Sequence, residues 1–150
     1  MTIRILYGTE SGNSEMIADD IAGALTDTGE VSVADLQDTD PAGLSRDDLH
    51  LIVCSTYGEG ELPASAQPFV DQLASDRPDL AGVRYAIFGL GDSGYAESYS
   101  KGSEHLVALL DDLGATRIGE YGRHDAAGFD DAAELATAWA QATVTLPTAI

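Results

Sequence analysis

Lysine is almost missing from this sequence. Lys101 is the only one, and 7 basic residues face 26 acidic ones. The resulting net charge of −19 makes nucleic acid a poor partner, because like charges repel. Cysteine is just as scarce. Cys54 stands alone inside an apolar run, which excludes an internal disulfide and fits a reducing compartment. No apolar stretch reaches the ~18 residues that a transmembrane helix needs. The start, Met1-Thr2-Ile3-Arg4, lacks a signal-peptide pattern, since its apolar stretch is a strand's length and runs into a polar turn. These absences together predict a cytoplasmic protein with no membrane attachment. At 150 residues the chain fits one domain, 1–150, large enough to bury a core.

The acids are spread along the whole sequence rather than gathered in a tail. Such a lysine-poor, aspartate-rich composition reads as a halophile's, kept in solution by surface charge and helped by salt screening.

Strand and helix signals alternate. Apolar strands are expected at Ile3–Tyr7, Val31–Ala34, Leu49–Cys54, Val83–Phe88 and, weakly, Ala115–Ile118. Helical periodicity is expected over Ser14–Thr28, Ala64–Ala74, Ser100–Leu113 and Asp130–Thr143. Inward positions on the last helix are Leu135, Ala136, Trp139 and Ala140. The stretch Asp35–Asp48 reads as a polar loop. This alternation predicts a doubly wound α/β fold: a five-stranded parallel sheet, order 2-1-3-4-5, with helices on both faces. Ligands of such sheets bind at the carboxyl ends of the strands, at the switch point between strands 1 and 3.

The loops expected there are unusual. After strand 1 comes Thr9-Glu10-Ser11-Gly12-Asn13-Ser14, in which four hydroxyl or amide side chains surround a glycine and a helix opens. Backbone N–H groups and the positive end of the helix dipole suit a phosphate there. The run holds no lysine and matches neither Gly-x-x-x-x-Gly-Lys-Ser/Thr nor Gly-x-Gly-x-x-Gly, so neither a triphosphate nor a dinucleotide motif is present. A helix cap made by Ser11, Asn13 or Ser14 is the simpler alternative. After strand 3 comes Ser55-Thr56-Tyr57-Gly58-Glu59-Gly60-Glu61-Leu62-Pro63, and after strand 4 comes Gly89-Leu90-Gly91-Asp92-Ser93-Gly94-Tyr95. Each joins a glycine turn to a tyrosine on which a planar ring can stack. The three loops together suit a phosphorylated planar heterocycle. No metal-ligand spacing and no catalytic constellation is evident.

These segments resemble a flavodoxin, and more closely the FMN domain of diflavin reductases and sulfite reductase flavoproteins. The resemblance covers essentially the whole chain and, with no long insertion near the fifth strand, matches the short-chain type. It implies noncovalent FMN, with the phosphate on Thr9, Glu10, Ser11, Gly12, Asn13 and Ser14. Tyr57 and Tyr95 would flank the ring, with Tyr99 the alternative for the second face. Thr56, Gly58, Gly60, Leu90, Gly91 and Asp92 would line the ring and ribityl chain, and Asp125 would lie near the ring. Ala64-Ser65 departs from the Asp-Asn of many relatives.

The function implied is a low-potential, one-electron shuttle between a flavin reductase and an acceptor enzyme, acting as a monomer. Glu59, Glu61, Asp92 and Glu97 would frame the flavin edge for a basic partner. The alternatives are an FMN subunit of a multi-component reductase and a flavin-free interaction module. A response-regulator receiver shares the fold, but Ser55-Thr56 follows strand 3 where it needs a phosphorylatable aspartate. A flavin enzyme with its own substrate lacks a His, Cys or Arg in the three loops; His50, His105 and His124 fall elsewhere and read as structural or solvated.

Overall fold

A computed structural model describes residues 2–8, 13–26, 30–44, 46–55, 66–91, 101–118, 122–125 and 132–144. The elements run β1 (Thr2–Gly8), α1 (Asn13–Leu25), β2 (Glu30–Asp35), β3 (Leu49–Ser55), α2 (Gln67–Asp76), β4 (Arg84–Gly91), α3 (Lys101–Asp112), β5 (Thr116–Arg117), β6 (Gly122–Asp125) and α4 (Ala132–Val144). The strands pair in parallel in the order β2-β1-β3-β4-β5, and β6 also pairs with β4.

The fifth position of the sheet is therefore one strand in two pieces. β5 lies beside Arg84 and Tyr85, and β6 beside Phe88 to Gly91. Two residues of β4 separate the pieces on one side, but residues 118–121 separate them on the other, so the register slips by two. A slip of two preserves which face each side chain takes, whereas a slip of one would invert them all. The expected strand Ala115–Ile118 thus shrinks to Thr116–Arg117, and the chain rejoins the sheet at Gly122-Arg123-His124-Asp125. His124 lies on β6 rather than beyond the last strand. That segment carries no apolar alternation, because an edge strand can be polar, and glycine and aspartate weaken the strand signal further.

Strand residues alternate between two cores. Ile3, Ile5, Leu49, Leu51, Val53 and Phe88 pack with Ile17, Ala18, Ile21 and Leu25 of α1 and with Ala136, Ala140 and Val144 of α4. Leu6, Ile52, Cys54, Tyr85 and Ile87 pack with Phe69, Val70 and Leu73 of α2 and with Leu106, Val107 and Leu110 of α3. Burial on both faces explains why the inner strands read as near-continuous apolar runs. Phe88 meets Trp139 with ring centroids 5.5 Å apart. Leu135 departs from expectation: it is 36% exposed. The buried stripe of α4 follows Ala136, Ala140 and Val144 at i, i+4 and i+8, and Leu135 sits about 100° around the helix from it.

The loop Asp35–Asp48 holds two short 3₁₀ turns, Leu36–Asp38 and Pro41–Gly43. Asp35 and Asp40 cap them, accepting from the N–H groups of Gln37 and Ala42. Buried Leu36 then meets the end of β1. A Cβ on Gly8 would stand 2.8 Å from the Ala66 Cβ and 3.1 Å from Leu36 Cδ1. Glycine here lets the strand end pass close beneath the start of α2. Gly8→Ala is expected to cost about 1–3 kcal/mol by overpacking. At ~2–4 °C per kcal/mol for a chain of this size, its melting temperature should fall by about 2–12 °C. An unchanged melting curve would show that Ala66 and Leu36 yield freely.

Candidate functional site

The chain leaves β1 for β2 on one side and returns to β3 on the other, so a crevice opens between the carboxyl ends of β1 and β3. Register brings the three motif-bearing segments to that edge. Gly8 pairs with Cys54, Cys54 with Gly89, and Ser55 with Leu90. Asp125, the last residue of β6, pairs with Gly91 and so reaches the same edge. The sequence alone left Asp125 loosely placed, because its strand was not recognisable.

Asn13 and Ser14 open α1 at this edge, and Leu90 and Gly91 end β4 there. Thr9, Glu10, Ser11, Gly12, Thr56, Tyr57, Gly58, Gly60, Asp92 and Tyr95 lie outside the described residues, as do Tyr99, Glu59, Glu61 and Glu97.

Ser14 carries the main chemical signal. It is fully buried, yet among the described residues its Oγ has no hydrogen-bond partner. A buried hydroxyl left unpaired costs ~1–3 kcal/mol, and the first-turn N–H groups around it have no intrahelical acceptor. A hydroxyl donor beside first-turn amides and a positive dipole end fits a phosphate ester. The described residues at this helix start therefore fit the phosphate of FMN.

Two neighbours escaped the sequence reading. Tyr7, near the end of β1, is half-buried and packs against the α1 side of the core. Burial raises its phenol pKa first, and the charges of Glu15 and Asp35 together with a hydrogen bond to Glu15 raise it further. The phenol donates to the Glu15 carboxylate, fastening the first turn of α1 to β1. Cys54 faces Gly8 from β3; burial pushes its thiol up to about 12, so it is inert as a nucleophile.

His50 belongs to the other end of the sheet. It is buried near the start of β3, and its Nδ1–H donates to the Arg84 carbonyl at 3.0 Å, leaving Nε2 without a partner among the described residues. Burial lowers its pKa from the usual 6.5, and the charges of Arg4 and Arg84 push the same way, against the Arg84 carbonyl bond and Asp48. The folded state thus binds fewer protons than the unfolded state as pH drops below about 6.5, and stability is lost in that window. Above it the contribution is nil. His50→Asn keeps a donor for Arg84 and removes the titration. The variant should lose less of its urea midpoint than the parent between pH 7.5 and 5.5. Equal losses would show that His50 takes up its proton while folded.

A doubly wound sheet in the order β2-β1-β3-β4-β5, with an anion-suited helix start at its switch point, defines the class of α/β proteins that bind a phosphorylated cofactor there. Flavodoxin is the standing example of that order, with FMN at that point. A sequence model of the flavodoxin family matches residues 5–139. The chain is 31% identical over 139 residues to the MioC homolog of Haemophilus influenzae, covering 93% of this chain and 94% of that one. It is 39% identical over 120 residues to the mitochondrial pyruvate dehydrogenase [NADP(+)] of Euglena gracilis, covering 77% of this chain but spanning only 6% of that protein. Oxidised flavodoxin 1 from Bacillus cereus superposes with a TM-score of 0.79 at 29% identity, over 96% of this chain and 97% of that one. The chain belongs to the flavodoxin family, whose members hold FMN without a covalent bond and pass electrons to redox partner proteins.

Proposed function

We propose that this chain is a one-electron carrier between a flavin-containing reductase and an acceptor protein, working as a single domain over 1–150. The buried, unpartnered Oγ of Ser14 at the start of α1 is the observation that carries the reading. In it Thr9, Glu10, Ser11, Gly12, Asn13 and Ser14 hold the FMN phosphate. Tyr57 and Tyr95 cover the two ring faces and exclude water. Thr56, Gly58, Gly60, Leu90, Gly91 and Asp92 line the ring and ribityl chain, and Asp125 stands by the ring. FMN, when bound, supplies the one-electron chemistry. The protein sets its potential. Gly58 would let the Tyr57-Gly58 peptide turn at little steric cost, so that its carbonyl could accept a hydrogen bond from the ring. The lack of lysine and arginine in the three loops disfavours negative charge at N1. Both effects separate the two electron steps.

Self-repulsion at −19 supports a monomer, and the single buried thiol of Cys54 fits the reducing cytoplasm. Among the described residues no helix is long and apolar enough to cross a membrane. The match to a small part of a much longer dehydrogenase keeps a second reading in view, in which the chain is the FMN component of a larger reductase. The similarity to the MioC homolog and to B. cereus flavodoxin supports the carrier reading. Stepwise reduction of the FMN-loaded protein, followed in the visible spectrum, is expected to resolve two one-electron steps. A single two-electron step would overturn the proposal, and a chain that takes up no flavin would point to an interaction module.

A further inference from the structure

The amino end of the sheet, opposite the cofactor end, holds two polar groups without a partner among the described residues. Nearby arginines are engaged. Arg46 donates to the carbonyls of Asp79 and Ala81, Arg77 pairs with Asp112, and Arg84 donates to the Asp47 carbonyl. Arg4, half-buried on β1, makes no hydrogen bond or ion pair among the described residues. Its register partner on β3 is His50. Their neighbours Ile3, Ile5, Leu49 and Leu51 pack on the layer of α1 and α4, so Arg4 and His50 leave the other face of the sheet together. His50 is fully buried, and its Nε2 is the second group. A carbonyl only accepts. The bond to the Arg84 carbonyl therefore fixes the proton on Nδ1 and leaves Nε2 of the neutral ring as a bare acceptor. A guanidinium in want of an acceptor thus neighbours a buried nitrogen in want of a donor.

We propose that Arg4 and His50 form a binding site for a small oxyanion that still carries a proton, such as hydrogen phosphate or hydrogencarbonate. Its O–H donates to Nε2 while its charged oxygens accept from the guanidinium fork. Sulfate and chloride carry no such hydrogen at neutral pH, and they leave the buried nitrogen stranded. The charges facing the imidazole are Arg4 from β1, Asp48 ahead of β3 and Arg84 from β4. Burial is the main reason that the His50 pKa is lowered, but Arg4 acts on it more strongly than Asp48, and Arg84 adds to Arg4. The local potential is therefore positive although the chain carries −19. The ligand enters from the Arg4 side, where a long and half-exposed side chain can swing. Arg4 and Gly8 lie toward opposite ends of β1, roughly 13 Å apart along the strand, so this site is not that of the FMN phosphate.

The test follows the His50 ring by NMR in the protein saturated with FMN, at about pH 7.5 and constant ionic strength, with His50→Asn assigning the signals. FMN fills the cofactor's own phosphate place, and the readout is local to His50 whether or not flavin binds. Inorganic phosphate should shift these signals with half-saturation at about 1–10 mM. Hydrogencarbonate is the second arm, and the tighter of the two names the oxyanion. Sulfate and chloride should shift them less than about one-tenth as far. Arg4→Gln should weaken phosphate about 10–100-fold, as for hydrogen bonds to a charged group. Arg4→Lys keeps the charge without the fork and should weaken it about 3–10-fold. Arg77→Gln removes a positive charge from the same end of the sheet and should change nothing. At about pH 5.5 sulfate should begin to bind with uptake of a proton, because a protonated Nε2 becomes a donor. Sulfate that matches phosphate at pH 7.5, an Arg4→Gln protein that responds like the parent, or His50 signals that no anion moves would each refute the site. Equal losses in Arg77→Gln and Arg4→Gln would show a general effect of charge and overturn it as well.

Discussion

Replacing Ser11 and Ser14 together with alanine is expected to weaken FMN binding by about 10²–10⁴-fold and to leave riboflavin within about twofold. Each hydrogen bond to a charged group is worth ~1.5–3 kcal/mol, and a tenfold change in affinity corresponds to ~1.4 kcal/mol. Two such bonds therefore span that range. Riboflavin lacks the phosphate and loses nothing. Ser14→Ala alone should cost FMN about 10–150-fold by the same arithmetic. Its effect on the flavin-free protein should have the opposite sign. The Oγ is buried with no partner among the described residues, so removing it relieves a desolvation cost, and the melting temperature of the flavin-free chain should hold or rise. Titration of both flavins, with a melting curve of the flavin-free variant, separates these effects. Equal weakening of FMN and riboflavin would place the phosphate elsewhere.

The melting temperature should also climb by about 10 °C or more as KCl rises from about 10 mM to about 1 M. The screening length shrinks over that range from ~30 Å to ~3 Å. No Asp or Glu appears among the buried residues described, so their mutual repulsion acts across the exposed surface. Folding draws these charges together, and screening it away is worth several kcal/mol against a stability of only ~5–15. A flat response would refute both the repulsion and the halophile's habitat that the composition implies. An equal concentration of sucrose should give a smaller rise, since it acts only by exclusion from the surface and does not screen charge.

Much of the architecture was legible because burial on two faces leaves a strong mark in sequence. Leu49-His50-Leu51-Ile52-Val53-Cys54 could only be an inner strand, and Leu106, Leu109, Leu110 and Leu113 could only be one face of a helix. The second half of the fifth strand left no such mark. Gly122 to Asp125 is held by main-chain pairing to Phe88–Gly91, which any side chains permit. The 3₁₀ turns behind β2 were signalled only by Asp35 and by Asp40-Pro41, a local pattern that polar loops share. At the site, the hydroxyl run pointed to a phosphate, but the sequence could not distinguish a capping serine from one buried with nothing to bond. Tyr7 looked like strand core, because its hydrogen bond to Glu15 joins residues eight apart and needs the turn between them.

The interrupted edge beside β4 has a bearing on how this protein behaves when crowded. A long straight edge strand offers a row of free amides and carbonyls on which another chain can build, the first step toward fibrils. Here the described residues on that side of the sheet are a strand of two and, out of register with it, a strand of four that carries arginine, histidine and aspartate in its sequence. Neither piece is long enough to seed a stacked strand, and their register offset forbids one continuous partner from pairing with both. The offset thus keeps this one edge of the sheet from offering a continuous ladder to another chain, leaving the six residues of β2 as the sheet's longer edge.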